Sequence, residues 1–137
     1  MADDVARVAI AVVETSGCYL VGMRKADEEL PGLAEFPGGK CLSGEEAAAC
    51  AMRECREETG LTVVAVRRLY ACRHIYVHGP LDLEFWLCLP EQMILDISKP
   101  ADNGFRWVPA QALKSLHFPA ANEPVIRLLI ADSHSVG

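Results

Sequence analysis

Residues 39–61 read GKCLSGEEAAACAMRECREETGL, and this stretch decides the fold. From Ser43 to Thr59 it is rich in Ala and Glu, and it stops at Gly60, a residue suited to the left-handed turn that ends helices. The spacing predicts a helix over 43–59. With Ala47 set at zero and a step of about 100° per residue, Glu54 falls near about −20° and Glu58 near about +20°. Cys50, Ala51 and Cys55 take about −60°, +40° and +80°, so both acids point along the apolar arc. Glu57 stands at its edge, at about −80°, whereas Arg56 and Glu45 point the other way. A Glu-rich helix ordinarily turns its acids to water. Two carboxylates four residues apart on the apolar side repel each other and lose solvation, and a cation resolves the conflict. Glu54, Glu57 and Glu58, read as three convergent carboxylates in a chain with few histidines, suit a hard divalent ion, Mg2+ or Mn2+. Arg53, four residues before Glu57, is placed to orient it.

Working outward, Arg7 to Thr15 is rich in Val, Ile and Ala, Ser16-Gly17 signals a turn, and Cys18 to Arg24 resumes the apolar pattern. That predicts a hairpin. Ala26 to Ala34 is polar, contains Pro31-Gly32 and reads as a loop. Glu35-Phe36-Pro37-Gly38-Gly39-Lys40 reads as a short strand interrupted by Pro and Gly. Downstream, Leu61 to Tyr76 is β-branched and aromatic, His78-Gly79-Pro80 is a turn, and Leu81 to Leu89 is another strand. Pro90 to Gly104 is a long loop and Phe105 to Val108 a short strand, while Pro109 to Ser115 and Glu123 to Asp132 read as helical. Strands outnumber helices, and no repeat is visible. The expectation is one α/β domain over residues 1–137, with a mixed sheet packed by helices.

Composition narrows the function classes. The chain has 137 residues, about one domain's length. Its 13 basic against 19 acidic residues give a net charge of −6. An acidic surface repels phosphate backbones and argues against a nucleic-acid polymer as partner. A smaller polyanionic substrate then needs local neutralisation by a metal ion or placed arginines. Apolar runs such as Val8 to Val13 fall far short of the ~20 residues of a membrane span. The start Met1-Ala-Asp-Asp is acidic where a secretory signal is basic, so a cytoplasmic location without membrane association is expected. Cys18, Cys41, Cys50, Cys55, Cys72 and Cys88 form no C-x-x-C pair, which argues against zinc-ribbon and thioredoxin readings. They read as small core hydrophobes rather than a disulfide framework.

The stretch also carries a resemblance. Gly39, five residues, Glu45, seven residues, then Arg53-Glu54-Cys55-Arg56-Glu57-Glu58-Thr59-Gly60-Leu61 resembles the box of the Nudix hydrolase family. Cys55 stands where the family usually has a larger aliphatic residue. Glu35 to Lys40 and Phe118-Pro119-Ala120-Ala121-Asn122-Glu123-Pro124-Val125-Ile126 resemble the family's MutT type. The resemblance implies the Nudix fold, an α/β/α sandwich. It implies metal-dependent hydrolysis of nucleoside triphosphates, 8-oxo-dGTP among them, to monophosphate and pyrophosphate. It makes Glu57 and Glu58 the principal ligands of Mg2+ or Mn2+, helped by the Gly38 carbonyl. Glu54 is a further ligand or the base that deprotonates the attacking water, with Arg53 beside it in the catalytic set. Glu45 supports the loop carrying Gly38 and Gly39. Arg24 matches a nucleotide-contacting arginine. Lys40 is a candidate for a phosphate contact, Phe36 for the base pocket, His78 for a substrate contact in its turn, and Asn122 for the base itself, although Asn122 also suits a helix N-cap.

One departure stands out. The MutT type carries Glu directly before its tryptophan, and this chain has Arg106-Trp107. Asp102, in the preceding loop, becomes the candidate fourth carboxylate and metal ligand. Rival family substrates leave weaker traces: the marker proline of ADP-ribose hydrolases falls at Val77, and the marker tyrosine of diadenosine polyphosphate hydrolases at Gly79. CTP or another pyrimidine triphosphate is the alternative substrate. A non-catalytic ligand-binding module is the alternative of another class, although such modules usually lose box carboxylates that this chain keeps. The expected partner is a small nucleotide, handled by a monomer or homodimer.

Overall fold

The first strand, β1 (Ala6–Thr15), is apolar on both faces because both faces are covered. Ala9, Ala11 and Val13 pack against Cys50, Ala51 and Cys55 of α1 (Ala47–Thr59). Val8, Ile10 and Val12 pack on the opposite side, in the cluster that holds Val125, Ile126 and Leu129 of α2 (Glu123–Ser135). A sheet with one helix on each face is the expected α/β/α sandwich. The computed structural model describes residues 5–28 and 32–135. Pro31 of the predicted loop and the acidic start at Met1 to Asp4 lie outside them.

Ser16 and Gly17 both take positive φ, 50° and 77°, as a two-residue hairpin turn requires. The hairpin they close with β2 (Cys18–Met23) is short, pairing Glu14 with Tyr19 and Thr15 with Cys18. It opens because each strand has other partners. β1 runs on against β4 (Gly38–Lys40), and β2 against β3 (Ala34–Glu35) and β7 (Arg106–Pro109). β5 (Val63–Tyr76) and β6 (Gly79–Pro90) form a long hairpin. β6 lies parallel to β1 from Ala6–Leu81 to Val13–Cys88, which makes the sheet mixed.

Three expectations need correction. The helix begins at Ala47, not Ser43. Gly44 takes φ +75°, the Glu45 N–H donates to the Leu42 carbonyl at 3.0 Å, and the Glu45 carboxylate accepts from the Leu42 N–H at 2.9 Å. Leu42–Glu45 is therefore a closed turn, and it folds Glu45 back against α1 rather than outward. The β5–β6 turn is Val77-His78, while Gly79 and Pro80 already pair with Tyr76 and Ile75. The helical reading of 109–115 is a 3-10 segment at Ala110–Ser115, and the predicted loop before β7 contains another at Asp102–Gly104. Gly60 ends α1 as expected, its N–H reaching the Arg56 carbonyl at 2.9 Å. Cys18, Cys50, Cys55 and Cys88 are buried, as read from the sequence, but Cys41 and Cys72 are only partly so. Among the described residues no helix is long and apolar enough to cross a membrane.

Candidate active site

The strand β4 lies between α1 and the α2 side of the sheet, and its two glycines fix what can dock there. A Cβ at Gly38 would sit 2.6 Å from the Ala9 carbonyl oxygen and 2.9 Å from the Ile10 Cα. Only glycine lets β4 lie so close to β1. A Cβ at Gly39 would sit 2.5 Å from the Glu54 carboxyl carbon, so that carboxylate rests on the Gly39 backbone. The Gly38 N–H donates to Glu58 Oε1 at 2.7 Å. Both acids on the apolar arc thus turn inward, in agreement with the helical angles. Glu57, at the edge of the arc, leaves 57% of its side chain exposed.

Arg53 ties the box together. Its Nε and Nη2 donate to the two oxygens of Glu45 at 2.8 and 2.9 Å, a bidentate fork. Its Nη1 donates to Glu54 at 3.0 Å and to Glu57 at 3.1 Å, and its Nη2 also reaches the Lys40 carbonyl at 3.2 Å. The Arg53 hydrogen bonds, with the one from the Leu42 N–H, hold the Glu45 carboxyl down to about 2. Glu45 therefore supports the loop after β4, as the resemblance implies, and does so through Arg53. The opposite holds at Glu58: burial pushes its carboxyl up to about 7, against the stabilising Gly38 N–H, and the charges of Glu35, Glu54 and Glu28 push the same way. A carboxylate held back from ionising by burial and by its acidic neighbours is the electrostatic condition that a divalent cation relieves. The donor set is all oxygen, which fits Mg2+ or Mn2+. The three box acids are not drawn to one point, however: Glu54 and Glu57 hold Arg53 while Glu58 turns to Gly38. Among the described residues, the group whose ligand atoms all lie within 4.8 Å of one another is Cys41, Glu45 and Cys50.

Beyond β4, on the α2 face, lies a cleft of about 770 Å³. Val8, Ile10, Leu81 and Leu83 line it with apolar surface. Arg24, Phe36, Lys40, His78 and Asn122 line it as well, so the fold brings every sequence-predicted substrate residue to one place, with Gly38 beside them. Phe36 also belongs to the core, stacked on Phe118 with ring centroids 4.9 Å apart. Arg24 is committed to Glu35 at 3.1 Å and to Glu28 at 3.9 Å. Glu35 is a cleft residue that sequence reasoning missed. Burial raises its carboxyl pKa, against the lowering effect of Arg24. The signal was the loop itself, because pairing of Gly22 with Glu35 sets Arg24 and Glu35 at the two ends of one hairpin.

Asn122 closes the 3-10 segment Ala120–Asn122, just before α2. Its Nδ2 donates to the Pro119 carbonyl at 3.2 Å, which leaves its second amide hydrogen and its oxygen for other partners. Asp102 stands elsewhere: a Cβ at Gly60 would lie 2.6 Å from Asp102 Oδ2, so this carboxylate rests on the C-terminal cap of α1. Asn103 beside it takes φ 58° and donates to the Glu58 carbonyl. Arg106 is exposed on β7, opposite Val21, and does not line the cleft.

Comparison with known proteins bears on the family and the fold. A family profile described as NUDIX domain matches residues 8–128. The 8-oxo-dGTP diphosphatase of Escherichia coli (strain K12) is 28% identical over 131 residues, covering 90% of this chain and 95% of its own. The CTP pyrophosphohydrolase of the same organism is 34% identical over 78 residues, 53% of this chain and 58% of its own. Among solved structures, the MutT protein of methicillin-resistant Staphylococcus aureus 252 superposes with a TM-score of 0.73 at 22% identity, over 96% of this chain and 99% of that one. At that identity the likeness concerns the fold.

Proposed function

Because the chain belongs to the NUDIX domain family and is a Nudix hydrolase, we propose that it hydrolyses nucleoside triphosphates to the monophosphate and pyrophosphate, with 8-oxo-dGTP as substrate. One observation carries the reading: a nucleotide-sized cleft that collects Arg24, Phe36, Lys40, His78 and Asn122 adjoins, through Gly38, the acidic face of α1. Glu54, Glu57, Glu58 and the Gly38 carbonyl are the groups that would hold Mg2+ or Mn2+, with Asp102 as the further candidate. When bound, the ion neutralises phosphate charge and acidifies water. The remaining work belongs to the chain. Apolar cleft walls and Phe36 take the base, and Lys40 meets the phosphates. Arg53 holds Glu54 and Glu57 in place. Glu54, resting on Gly39, takes the proton of the attacking water, as phosphoryl transfer depends mainly on such positioning and electrostatics.

Asn122 supports the choice of base. Guanine presents two acceptors on its major-groove edge, N7 and O6. Oxidation at C8 turns N7 into an N–H donor, and one amide can then donate to O6 and accept from N7–H. Against ordinary guanine the amide oxygen faces a lone pair, and an unpaired buried polar group of this kind costs about 1–3 kcal/mol. Asn122→Ala is therefore expected to lower the kcat/KM ratio of 8-oxo-dGTP over dGTP by about 100-fold. A variant that loses only about 1 kcal/mol of stability, with the ratio unchanged, makes Asn122 a helix cap and removes the support for an oxidised purine.

The test of the whole reading is pyrophosphate release from 8-oxo-dGTP, dGTP and CTP, with Mg2+ and with excess chelator. Release confined to the metal-containing arm and greatest for 8-oxo-dGTP is expected. A preference for CTP would favour the second reading, which the similarity to a CTP pyrophosphohydrolase supports, and activity in chelator would remove the metal. The identity of the base has its own measurement. At saturating metal, Asp102→Asn is expected to cost less in kcat than Glu54→Gln, because Asp102 rests on Gly60 whereas Glu54 rests on Gly39. The reverse order assigns the base to the loop.

A further inference from the structure

The turn after β4 and the start of α1 carry two thiols that nucleotide hydrolysis does not use. Cys41 directly follows β4 and is partly exposed; Cys50 lies in the first turn of α1 and is fully buried. Their sulfurs lie within 4.8 Å of each other. The Cys50 S–H donates to the Gly39 carbonyl at 3.5 Å, and its sulfur accepts from Arg53 Nη2 at 3.8 Å. Cys41 is also the reachable member. It opens onto a surface depression of about 320 Å³, lined with Arg7, Ala47, Cys72 and Asp82.

Two chemistries suit such a pair beside Glu45. A soft metal needs both sulfurs as thiolates and an available carboxylate. Glu45 already accepts from the Leu42 N–H and from both arms of the Arg53 fork, and Cys50 is fully buried, with its S–H given to the Gly39 carbonyl. A disulfide asks nothing of Glu45 and leaves both sulfurs neutral, which the buried setting favours. We propose that Cys41 and Cys50 form a reversible oxidation pair, with Cys41 oxidised by a peroxide and Cys50 resolving it.

The balance is simple. Cys41 Sγ attacks one peroxide oxygen: an S–O bond forms, the O–O bond breaks, and the departing oxygen leaves as water with the thiol proton. Cys50 Sγ then attacks the Cys41 sulfenic sulfur. The S–S bond forms, the S–O bond breaks, and hydroxide leaves as a second water with the Cys50 proton. Two thiols lose two hydrogens and two electrons, and one peroxide is reduced. The product ties the end of β4 to the first turn of α1.

The test uses the full chain, a pulse of hydrogen peroxide, denaturing alkylation and peptide mass mapping. Two of the six thiols are expected to disappear, with loss of two hydrogens and a Cys41–Cys50 cross-link that dithiothreitol reverses. The oxidised form should melt above the reduced one, because the bond restricts the unfolded chain. In Cys50→Ala, Cys41 should instead gain two oxygens and resist dithiothreitol. In Cys41→Ser, all five remaining thiols should survive the pulse, a readout available even if the first variant folds poorly. Cys72→Ser should keep the cross-link. A Cys41–Cys72 bond, six intact thiols, or wild-type Cys41 advancing to the sulfinic acid as in Cys50→Ala would each overturn the pair. None of these readouts depends on which nucleotide the protein hydrolyses.

Discussion

Glu58→Gln is expected to lower kcat by about 10³-fold, the scale on which one charge-stabilising group contributes to such a reaction, while the chain stays folded. The stability result is the more diagnostic half. In the metal-free protein, burial raises the Glu58 carboxyl from 4.5 to about 7. The unfolded chain gives up that proton first, so the associated stability is fully in place below pH 4.5 and is lost as pH rises through about 7. A shift of this size corresponds to at most about 3 kcal/mol, and solvent screening at a half-buried site reduces it to about 1–2 kcal/mol. In chelator, the wild-type Tm should therefore fall between pH 5 and pH 8, and Glu58→Gln should flatten that fall. Mg2+ should restore the wild type and leave the variant unmoved. Thermal melts across this range check it. A variant that melts far lower than wild type at every pH and keeps its kcat would make Glu58 a structural acid.

The second large effect is at Gly38. A methyl group there meets backbone, the Ala9 carbonyl oxygen and the Ile10 Cα, and backbone cannot rotate away as a side chain can. Gly38→Ala must lift β4 from β1, which strains the pairing of Ile10 with Gly38 and the bond from the Ala11 N–H to the Pro37 carbonyl. It also withdraws the N–H from Glu58. The expected loss is about 3 kcal/mol of stability, together with about 10³-fold in kcat because a docking point of the acidic helix moves. Gly44→Ala is the matching control. Nothing lies within 4 Å of its added methyl, and only its φ of +75° is unfavourable, so about 1 kcal/mol and little activity should be lost. Equal effects at the two glycines would mean that backbone conformation, not crowding against β1, governs both.

The acidic face of α1 was legible in the sequence because helical angle is a local property. Glu54 and Glu58 inward and Glu57 at the rim follow from the 3.6-residue period alone. Where the helix begins was not legible. Glu45 and Glu46 suit a first turn by composition, and what stops the helix at Ala47 is a left-handed Gly44 closed by hydrogen bonds between Leu42 and Glu45. The position of Glu45 went wrong for the same reason, since an angle extrapolated past the true start has no meaning. The cleft was legible only as separate residues. Arg24, Phe36, Lys40, His78 and Asn122 are scattered along the chain, and what joins them is sheet pairing between distant strands. Glu35 escaped because its partner Arg24 meets it only across the loop that joins β2 to β3. The closeness of Cys41 and Cys50 escaped because a count of spacings sees nine residues, whereas the turn brings the sulfurs together.

The parallel pairing of β1 with β6 also bears on how the chain is made. Ala6 meets Leu81 and Val13 meets Cys88, so β1 leaves a ribosome about 75 residues ahead of its long neighbour. At synthesis rates of about 5–20 residues per second, β1 waits several seconds or more for that neighbour. Over that interval its apolar residues depend on five paired positions with β2 and β4 and, on one face, on α1. The interval before β6 emerges is therefore when the apolar edge of β1 is least covered, and slower translation between β4 and β6 is expected to lower the soluble yield even though the finished fold is unchanged.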